Sequence, residues 1–328
     1  MPPSPSTSSS SFSSSSSSAS PSAASFSAST RTPGPEAGGT PATTPTPAGS
    51  PDAAPARTSE VAAAAHRTAA RTYLVTGAAS GIGKATADRL RAAGHTVIGA
   101  DRTREADGVA IAADLATESG RAELASQARE LTGGRLDAVI ACAGLAHFLP
   151  ATVRVNYFGA VATLESLRPL LAAGTAPRAV VVASVAAVHP TDPAIVEASL
   201  AGDEEAAATA AQNALDRGEG HLIYGSSKAA LARWVRHAAV TGDWAGAGIP
   251  LNAIGPGTVL TPMTEGMLAD PDLRKVVDTS VPMPLNGHAR PEQIAPLLAW
   301  LSSPENTHVT GQLLFVDGGA EALLRPTS

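Results

Sequence analysis

The hydrophobic positions between residues 72 and 316 fall into short apolar runs that alternate with longer segments of helical spacing. The apolar runs predict strands at 72–76, 96–100, 109–112, 138–141, 179–183, 250–254 and 312–316. The helical spacing predicts helices at 82–93, 117–131, 152–172, 224–241 and 292–301. Continuously apolar strands that alternate with helices are typical of a parallel sheet covered on both faces. The pattern therefore predicts a single doubly wound α/β domain over residues 71–328.

Residues 1–70 have a different composition, rich in Ser, Pro and Ala. Such a segment buries too little apolar surface to offset its ordering entropy, so we expect a disordered leader. It lacks the early basic region and apolar run of a secretory signal, and its few Arg residues argue against an organellar transit peptide. A natural disordered tail, or a translation start placed too far upstream, fits better.

Charge and cysteine content exclude several classes of protein. The 23 Lys and Arg and 29 Asp and Glu residues give a net charge of −6 without a basic cluster, which argues against a nucleic-acid partner. The longest apolar runs are too short to span a membrane. The one cysteine, Cys142, excludes an intrachain disulfide framework and a cysteine-rich zinc site, and the eight His residues show no metal-ligand spacing. We therefore expect a metal-free cytoplasmic protein.

A glycine-rich segment joins the first predicted strand to the first helix. Gly77 allows a tight turn, Gly81 lets backbone amides approach a pyrophosphate, and Gly83 lets the helix pack closely on the sheet. An ordinary glycine-rich turn is the alternative, but the strand before, the helix after and an acidic residue downstream favour a Rossmann-type dinucleotide site. The predicted cofactor contacts in this loop are Gly77, Ser80, Gly81, Ile82 and Gly83.

The acidic residue is Asp101, which lies 18 positions after the last loop glycine. A carboxylate there accepts hydrogen bonds from the adenosine ribose of NAD and repels the 2′-phosphate of NADP. The adjacent Arg102 could neutralise it in part, yet we expect NAD(H) to be preferred over NADP(H). Asp114 could contact the adenine or cap the next helix, and with Leu115 it completes the predicted contacts on this side.

Tyr224 and Lys228 lie four residues apart, and therefore on one face of a predicted helix. An ammonium near a phenol favours the phenolate and lowers the tyrosine pKa from about 10. That is the direction required for proton exchange at neutral pH. The spacing alone is common, but here it follows the glycine loop by about 140 residues and is preceded by Ser184 at the end of an apolar strand.

With these motifs, residues 71–328 resemble the short-chain dehydrogenase/reductase family over nearly their full length. The matching pieces are TGAASGIG at 76–83, Asp101, Asp114, CAG at 142–144, VNYFG at 155–159, Ser184, YGSSK at 224–228 and GPGTVLTP at 255–262. The chain is most similar to the 3α-hydroxysteroid dehydrogenase/carbonyl reductase branch. The features behind that similarity are VNYFG, SVAAVH at 184–189 with an insertion after it, and RPT at 325–327.

The resemblance implies a catalytic set of four residues. Tyr224 would be the general acid in carbonyl reduction and the base in alcohol oxidation, and Ser184 would hold the substrate oxygen. Lys228 would lower the Tyr224 pKa and bond the nicotinamide ribose. Asn156 would bend its helix and hold a water linking Lys228 to solvent; a polar residue on the helix surface is the alternative. The remaining implied cofactor contacts are Ala143, Gly144, Tyr224, Lys228, Pro256, Gly257, Val259 and Thr261.

One position departs from the family pattern. Ala141 and Cys142 stand where many members carry two asparagines, so the structural contacts of those asparagines do not transfer to this chain. We expect Cys142 to be a buried small hydrophobic residue.

Forty positions separate Ser184 from Tyr224, more than in most of the family. The extra segment, about 189–221, predicts two short helices, with Asp203 as the N-cap of the second. The resemblance implies that such an insertion alters subunit contacts, so we expect a homo-oligomer and favour a homodimer over a homotetramer. A solvated excursion without an interface role is the alternative.

Residues 262–285 are expected to cover the substrate. The candidate apolar lining there is Met263, Met267, Leu268, Val276 and Val277. We predict an NAD(H)-dependent oxidoreductase that interconverts a secondary alcohol and a ketone on a small hydrophobic substrate, and steroids follow from the branch resemblance alone. The alternative is an NAD-binding regulatory protein of the same fold without turnover, against which the intact Ser–Tyr–Lys set argues.

Overall fold

The computed structural model describes residues 69–327. The predicted leader lies almost entirely outside the described residues, and its boundary at residue 70 stays a prediction. None of the helices in the described part is long and apolar enough to cross a membrane.

A seven-stranded sheet forms the centre of the fold, with strand order β3-β2-β1-β4-β5-β6-β7 and every neighbouring pair parallel. The strands are β1 (Thr72–Thr76), β2 (Thr96–Asp101), β3 (Val109–Ala112), β4 (Ala138–Ala141), β5 (Arg178–Val182), β6 (Leu251–Pro256) and β7 (Leu313–Val316). All seven predicted strands are present, and their ends agree with the apolar runs to within two residues.

Helices cover both faces of this sheet. They are α1 (Gly81–Ala92), α2 (Glu118–Thr132), α3 (Pro150–Val153), α4 (Ala160–Ala172), α5 (Pro193–Leu200), α6 (Glu204–Asp216), α7 (Leu222–Ala238), α8 (Pro262–Ala269), α9 (Pro271–Ser280), α10 (Pro291–Leu301) and α11 (Ala320–Leu324). A π-helix (Arg154–Gly159) joins α3 to α4, and a 3₁₀ helix (Val185–Val188) follows β5.

Two apolar layers explain why the strands are apolar along their whole length. Successive strand side chains point to opposite faces of a sheet. On one face Leu74, Val139 and Val181 pack with side chains of α2, α4 and α7. On the other face Val75 and Ile140 pack with α1 and α10. The predicted doubly wound α/β architecture is confirmed, because helices cover both faces of the sheet and the central strands β1, β4, β5 and β6 are buried on both.

The long helix predicted at 152–172 is interrupted in the structure. The six residues Arg154–Gly159 form the π-helical segment between α3 and α4. Such segments occur as local insertions in α-helices, frequently at functional sites. A single π turn changes the spacing of the apolar positions too little to be visible in the sequence pattern. The chain is nevertheless helical throughout the predicted range 152–172, and the π-helical turn lies around Asn156, the residue that the resemblance expects to bend this helix.

The insertion folds as the sequence predicts, into the two helices α5 and α6. Asp203 caps α6, because its side chain accepts a hydrogen bond from the Ala206 backbone N–H at 2.9 Å. Helix α5 packs on α7, and α6 packs on α3 and the π-helix. The apolar side chains Ile195, Ala207 and Ala211 join the core. The insertion therefore extends the apolar layer on the face of the sheet that contains Leu74, Val139 and Val181.

The capped start of α6 gives a stability prediction. Replacing Asp203 by Ala leaves a helix N–H without its acceptor, and we expect the free energy of unfolding to fall by about 1 kcal/mol. Asp203→Asn keeps an oxygen acceptor and should unfold almost as the wild type does. Urea unfolding followed by circular dichroism measures both variants. Equal stability of Asp203→Ala and Asp203→Asn would show that the cap contributes nothing.

Candidate active site

A cavity of about 420 Å³ lies at the carboxyl ends of the central strands. It opens beside β1, where the strand order reverses and the connections lead to opposite sides of the sheet. Ligands of open α/β sheets bind at such switch points. The predicted site residues that line this cavity are Gly77, Ser80, Gly81, Ile82, Gly83, Asp101, Arg102, Asp114, Leu115, Ala143, Gly144, Ser184, Tyr224, Lys228, Pro256, Gly257, Val259, Thr261 and Met263.

The glycine loop after β1 is shaped to approach a phosphate group closely. Gly77 and Gly81 both have positive φ, at 69° and 53°. A Cβ atom on Gly83 would lie 2.1 Å from the Gly77 carbonyl oxygen, so α1 packs there only with glycine. Ser80 makes no side-chain cap, and the first N–H groups of a helix have no partner within it. These amides at the cavity wall fit the pyrophosphate of a dinucleotide.

The Asp101 carboxylate is held in place at the end of β2. It accepts hydrogen bonds from the Ala79 N–H at 3.0 Å and the Arg102 N–H at 2.7 Å. The Arg102 side chain is exposed at the same cavity wall. A carboxylate fixed directly against the glycine loop is well placed for the ribose diol next to the pyrophosphate.

Asp114 does not cap the following helix. Thr117 is the N-cap of α2, because its hydroxyl accepts a hydrogen bond from the Gly120 N–H at 3.0 Å. The Asp114 carboxylate instead accepts the Ala116 N–H at 3.0 Å within its own turn. Of the two roles left open by the sequence, contact with the adenine end of the cavity is the one that the geometry permits.

The turn after β4 is fastened to β1. The Thr76 hydroxyl accepts hydrogen bonds from the N–H groups of Cys142 and Ala143, at 3.0 and 3.1 Å. Cys142 is half-buried, packs against the core and lines the cavity. Burial raises the pKa of its thiol to about 12. The thiol therefore stays protonated at neutral pH, as expected of a small hydrophobic residue.

Ser184 and Tyr224 meet at the end of β5. Burial raises the pKa of Tyr224, and the side-chain hydrogen bond with Ser184 lowers it by a smaller amount. The Ser184 hydroxyl also accepts the Ala186 N–H at 3.1 Å, which orients it at the start of the 3₁₀ helix. The two hydroxyl groups together can hold one carbonyl oxygen and supply a proton to it.

Lys228 is buried below Tyr224, with 4% of its surface exposed. Its Nζ donates a hydrogen bond to the Val182 carbonyl at 2.8 Å and lies 5.9 Å from the centre of the Tyr224 ring. Burial lowers the pKa of Lys228 to about 8. The prediction that Lys228 lowers the Tyr224 pKa is wrong for this arrangement. The ammonium bonds a strand-end carbonyl, and burial dominates the pKa of the phenol.

Asn156 lies inside the π-helix and is fully buried. Its amide exchanges hydrogen bonds with the backbone N–H and C=O of Leu145, at 2.8 and 2.9 Å, and donates another to the Ser227 hydroxyl at 3.1 Å. The alternative of a polar residue on the helix surface is therefore wrong. Asn156 joins the loop after β4 to the Tyr–Lys helix, behind the cavity wall; the water that it was expected to hold stays a prediction.

The covering segment contributes less lining than the sequence predicts. Met263, in the first turn of α8, lines the cavity, whereas Met267, Leu268, Val276 and Val277 do not. The reason is geometric: α8 starts at the cavity, and its rise of about 1.5 Å per residue carries its last turn away.

Several lining residues were not predicted from the sequence. They are Leu145, Ala151, Val155 and Thr264, among others of the same loops. Leu145 directly follows Gly144, so extending the CAG motif by one residue would have found it. Val155 is the first residue of the VNYFG motif, in which only Asn156 is predicted as a site residue. In the described part of the chain, no group of three His, Cys, Asp or Glu side chains could hold a metal ion.

Comparison with known proteins supports the same interpretation. The family model for short chain dehydrogenase matches residues 71–196, and the model described as enoyl-(acyl carrier protein) reductase matches residues 205–321. The 3-alpha-hydroxysteroid dehydrogenase/carbonyl reductase of Comamonas testosteroni is 37% identical over 257 residues, which span 76% of this chain and 96% of that protein.

Solved structures extend the similarity to the whole domain. The 3-alpha-hydroxysteroid dehydrogenase from Pseudomonas sp. B-0831, complexed with NADH, aligns with a TM-score of 0.71 and 40% identity over 78% of this chain and 99% of that one. The Pseudomonas aeruginosa RhlG/NADP complex aligns with a TM-score of 0.62 and 28% identity over 78% of this chain and 98% of that one. The shared architecture is that of nicotinamide-dependent dehydrogenases and reductases. This chain belongs to the short-chain dehydrogenase/reductase family, and it is an oxidoreductase acting on CH–OH or C=O groups.

Burial of Lys228 predicts a pH dependence of stability. Its pKa is about 8 in the folded protein, against an ordinary value of 10.5. Between these values the unfolded chain binds one more proton than the folded protein, so the free energy of unfolding rises with pH. From about pH 7.5 to about pH 9.5 the wild type should gain about 2 kcal/mol relative to Lys228→Met, which has no titrating group there. Urea unfolding at both pH values checks this; a wild-type-to-variant difference independent of pH would contradict it.

Proposed function

We propose that this chain is an NAD(H)-dependent oxidoreductase that interconverts a secondary alcohol and a ketone on a hydrophobic substrate of the hydroxysteroid or xenobiotic carbonyl type. The supporting observation is that Ser184 and Tyr224 line the same cavity as the glycine loop and Asp101, with the Ser184 hydroxyl close enough to lower the Tyr224 pKa. The substrate class is supported by the apolar side chains Leu145 and Val155 in the cavity lining and by the similarity to two hydroxysteroid dehydrogenases.

Tyr224 is the proposed general acid and base. Because burial raises its pKa, the phenol is protonated at neutral pH and is ready to donate its proton to a carbonyl oxygen. Ser184 donates a hydrogen bond to the same oxygen as negative charge develops on it. A bound nicotinamide would supply or accept the hydride. Alcohol oxidation requires Tyr224 to lose its proton, so we expect reduction to be favoured near neutral pH and oxidation to increase as the pH rises.

Lys228 and Asn156 are proposed to support this pair. Lys228 donates to the Val182 carbonyl, which fixes its ammonium next to the Tyr224 ring and leaves its other protons for the nicotinamide ribose. Asn156 bonds Ser227, and the Ser227 hydroxyl donates to the Tyr224 carbonyl at 2.7 Å. Through these contacts Asn156 positions the helix that carries both reacting groups.

We further propose a homo-oligomer, with a homodimer favoured over a homotetramer, and a cytoplasmic location. Both are predictions from the sequence. Light scattering of the purified protein and fractionation of the source cells test them.

Loss of the phenol should abolish turnover but not cofactor binding. For Tyr224→Phe we expect kcat to fall by about 10³-fold, with the Kd for NADH within about twofold of wild type. Tyr157→Phe is the matched control, because that phenol is buried in the core and does not line the cavity. Loss of NADH absorbance with a panel of steroids, quinones and aromatic aldehydes measures turnover.

Retained activity of Tyr224→Phe would remove this residue from the mechanism. A wild type that binds NADH but reduces nothing in the panel would favour the alternative, a regulatory protein of the same fold without turnover.

Cofactor choice is proposed to depend on the Asp101 carboxylate. The relative with bound NADH supports a preference for NAD(H), whereas the more distant complex contains NADP. We expect wild type to use NADH better than NADPH, and Asp101→Asn to lower the KM for NADPH by about tenfold, since the amide does not repel a 2′-phosphate. Asp107→Asn, an exposed acid of the same loop outside the cavity, should change neither KM. A wild-type preference for NADPH would overturn this assignment.

A further inference from the structure

We propose that Glu204, a residue of the insertion, is a positioning residue for the dinucleotide cavity. The proposal rests on the proposed function, because it concerns the affinity of the same cavity for NAD(H). Glu204 does not itself line the cavity. Its effect must therefore pass through the elements that it contacts.

Glu204 forms two ion pairs with two different elements. At the start of α6, its carboxylate lies 2.7 Å from the Arg121 guanidinium and 2.8 Å from the Arg154 guanidinium. The side chains of Glu204, Arg121 and Arg154 are only 20%, 13% and 28% exposed. Solvent and salt screen partly buried ion pairs less than surface pairs. These two ion pairs therefore contribute more interaction energy than the usual exposed pair.

Both bridged elements also build the cavity. Arg121 lies in the first turn of α2, directly after the turn from which Asp114 and Leu115 line the cavity. Arg154 begins the π-helix, and the next residue, Val155, is also in the lining. The Glu204 bridge therefore holds together, from outside, two elements that form one cavity wall.

The same two parts of the chain meet directly on the inner side of the bridge. A Cβ on Gly159, the last residue of the π-helix, would lie 2.9 Å from the Leu115 Cβ. These two segments of the backbone therefore cannot come closer together. A contact this tight fixes the separation only while the elements stay together. Loss of the outer bridge should let the turn at Asp114 and Leu115 move away from the π-helix and loosen the adenine end of the cavity.

A purely electrostatic role for Glu204 predicts the opposite sign. The dinucleotide is an anion, so removal of a carboxylate near its cavity should strengthen binding if charge alone mattered. Positioning predicts weaker binding on removal of the same charge. Glu205 provides the matched control, because its carboxylate lies 2.8 Å from Arg154 but is 82% exposed and does not contact Arg121.

Titration of NADH fluorescence with the full-length protein tests the proposal. For Glu204→Gln we expect the Kd for NADH to rise about three- to tenfold. The kcat at saturating NADH should stay within about twofold, because the catalytic pair is on another wall. Glu205→Gln should bind NADH as tightly as wild type or slightly more tightly. Arg121→Met should reproduce the Glu204→Gln effect, and the double variant should be no worse than either single one.

Each outcome has a separate meaning. If Glu204→Gln binds NADH as well as wild type, or more tightly, the positioning role is wrong. If its melting temperature falls while Kd and KM stay unchanged, the bridge serves stability alone, and the proposal is equally overturned. If Glu204→Gln does not fold, Glu204→Asp decides between these results, because it keeps the negative charge but shortens the reach to Arg121 and Arg154: a raised Kd for NADH supports positioning, and an unchanged Kd overturns it. If the wild type itself does not bind NADH, it is the proposed function that fails.

Discussion

The site depends on the reversal of strand order at β1. Because β2 and β3 lie on one side of β1 and β4 to β7 on the other, the chain leaves β1 and β4 in opposite directions and a crevice opens between them. The Thr76 hydroxyl holds the two strand ends together by accepting the Cys142 and Ala143 amides. Most of the site is attached to strand ends around this crevice: the glycine loop to β1, Asp101 to β2, Ser184 to β5 and the turn at Pro256 to β6. Tyr224 and Lys228 reach the same crevice from helix α7.

Burial then decides the charge state of the reacting groups. It raises the pKa of Tyr224 and lowers that of Lys228, because in both cases it penalises the charged form. The strand-end carbonyl of Val182 compensates Lys228, and the Ser184 hydroxyl compensates Tyr224 in part. The outcome is a neutral phenol next to an ammonium whose pKa lies close to neutral pH. Such a pair is prepared to give a proton to a substrate oxygen and to be reprotonated from its neighbour.

The sequence pattern predicted the fold well because it depends on burial on two faces, which every strand records as a run of apolar residues. It also predicted the cavity wall, since residues that follow strands meet at one edge of a parallel sheet. It did not predict the π-helix around Asn156, because one extra residue leaves the apolar spacing almost unchanged. The sequence-based expectation that the Tyr224 pKa is lowered was wrong, because the shift depends on how far the phenol is buried, which the sequence does not record. The bridge from Glu204 to Arg121 and Arg154 joins residues 83 and 50 positions apart, and no local pattern records it.

Transfer of deuterium tests the account most directly, because it follows the reacting atom itself. The purified protein would be incubated with NADH deuterated at both C4 positions and a ketone of the panel, and the product alcohol analysed by mass spectrometry and proton NMR. The account predicts one deuterium per molecule, on the carbon that bears the new hydroxyl group, with about 10³-fold slower product formation by Tyr224→Phe. An alcohol formed without deuterium at that carbon would contradict it.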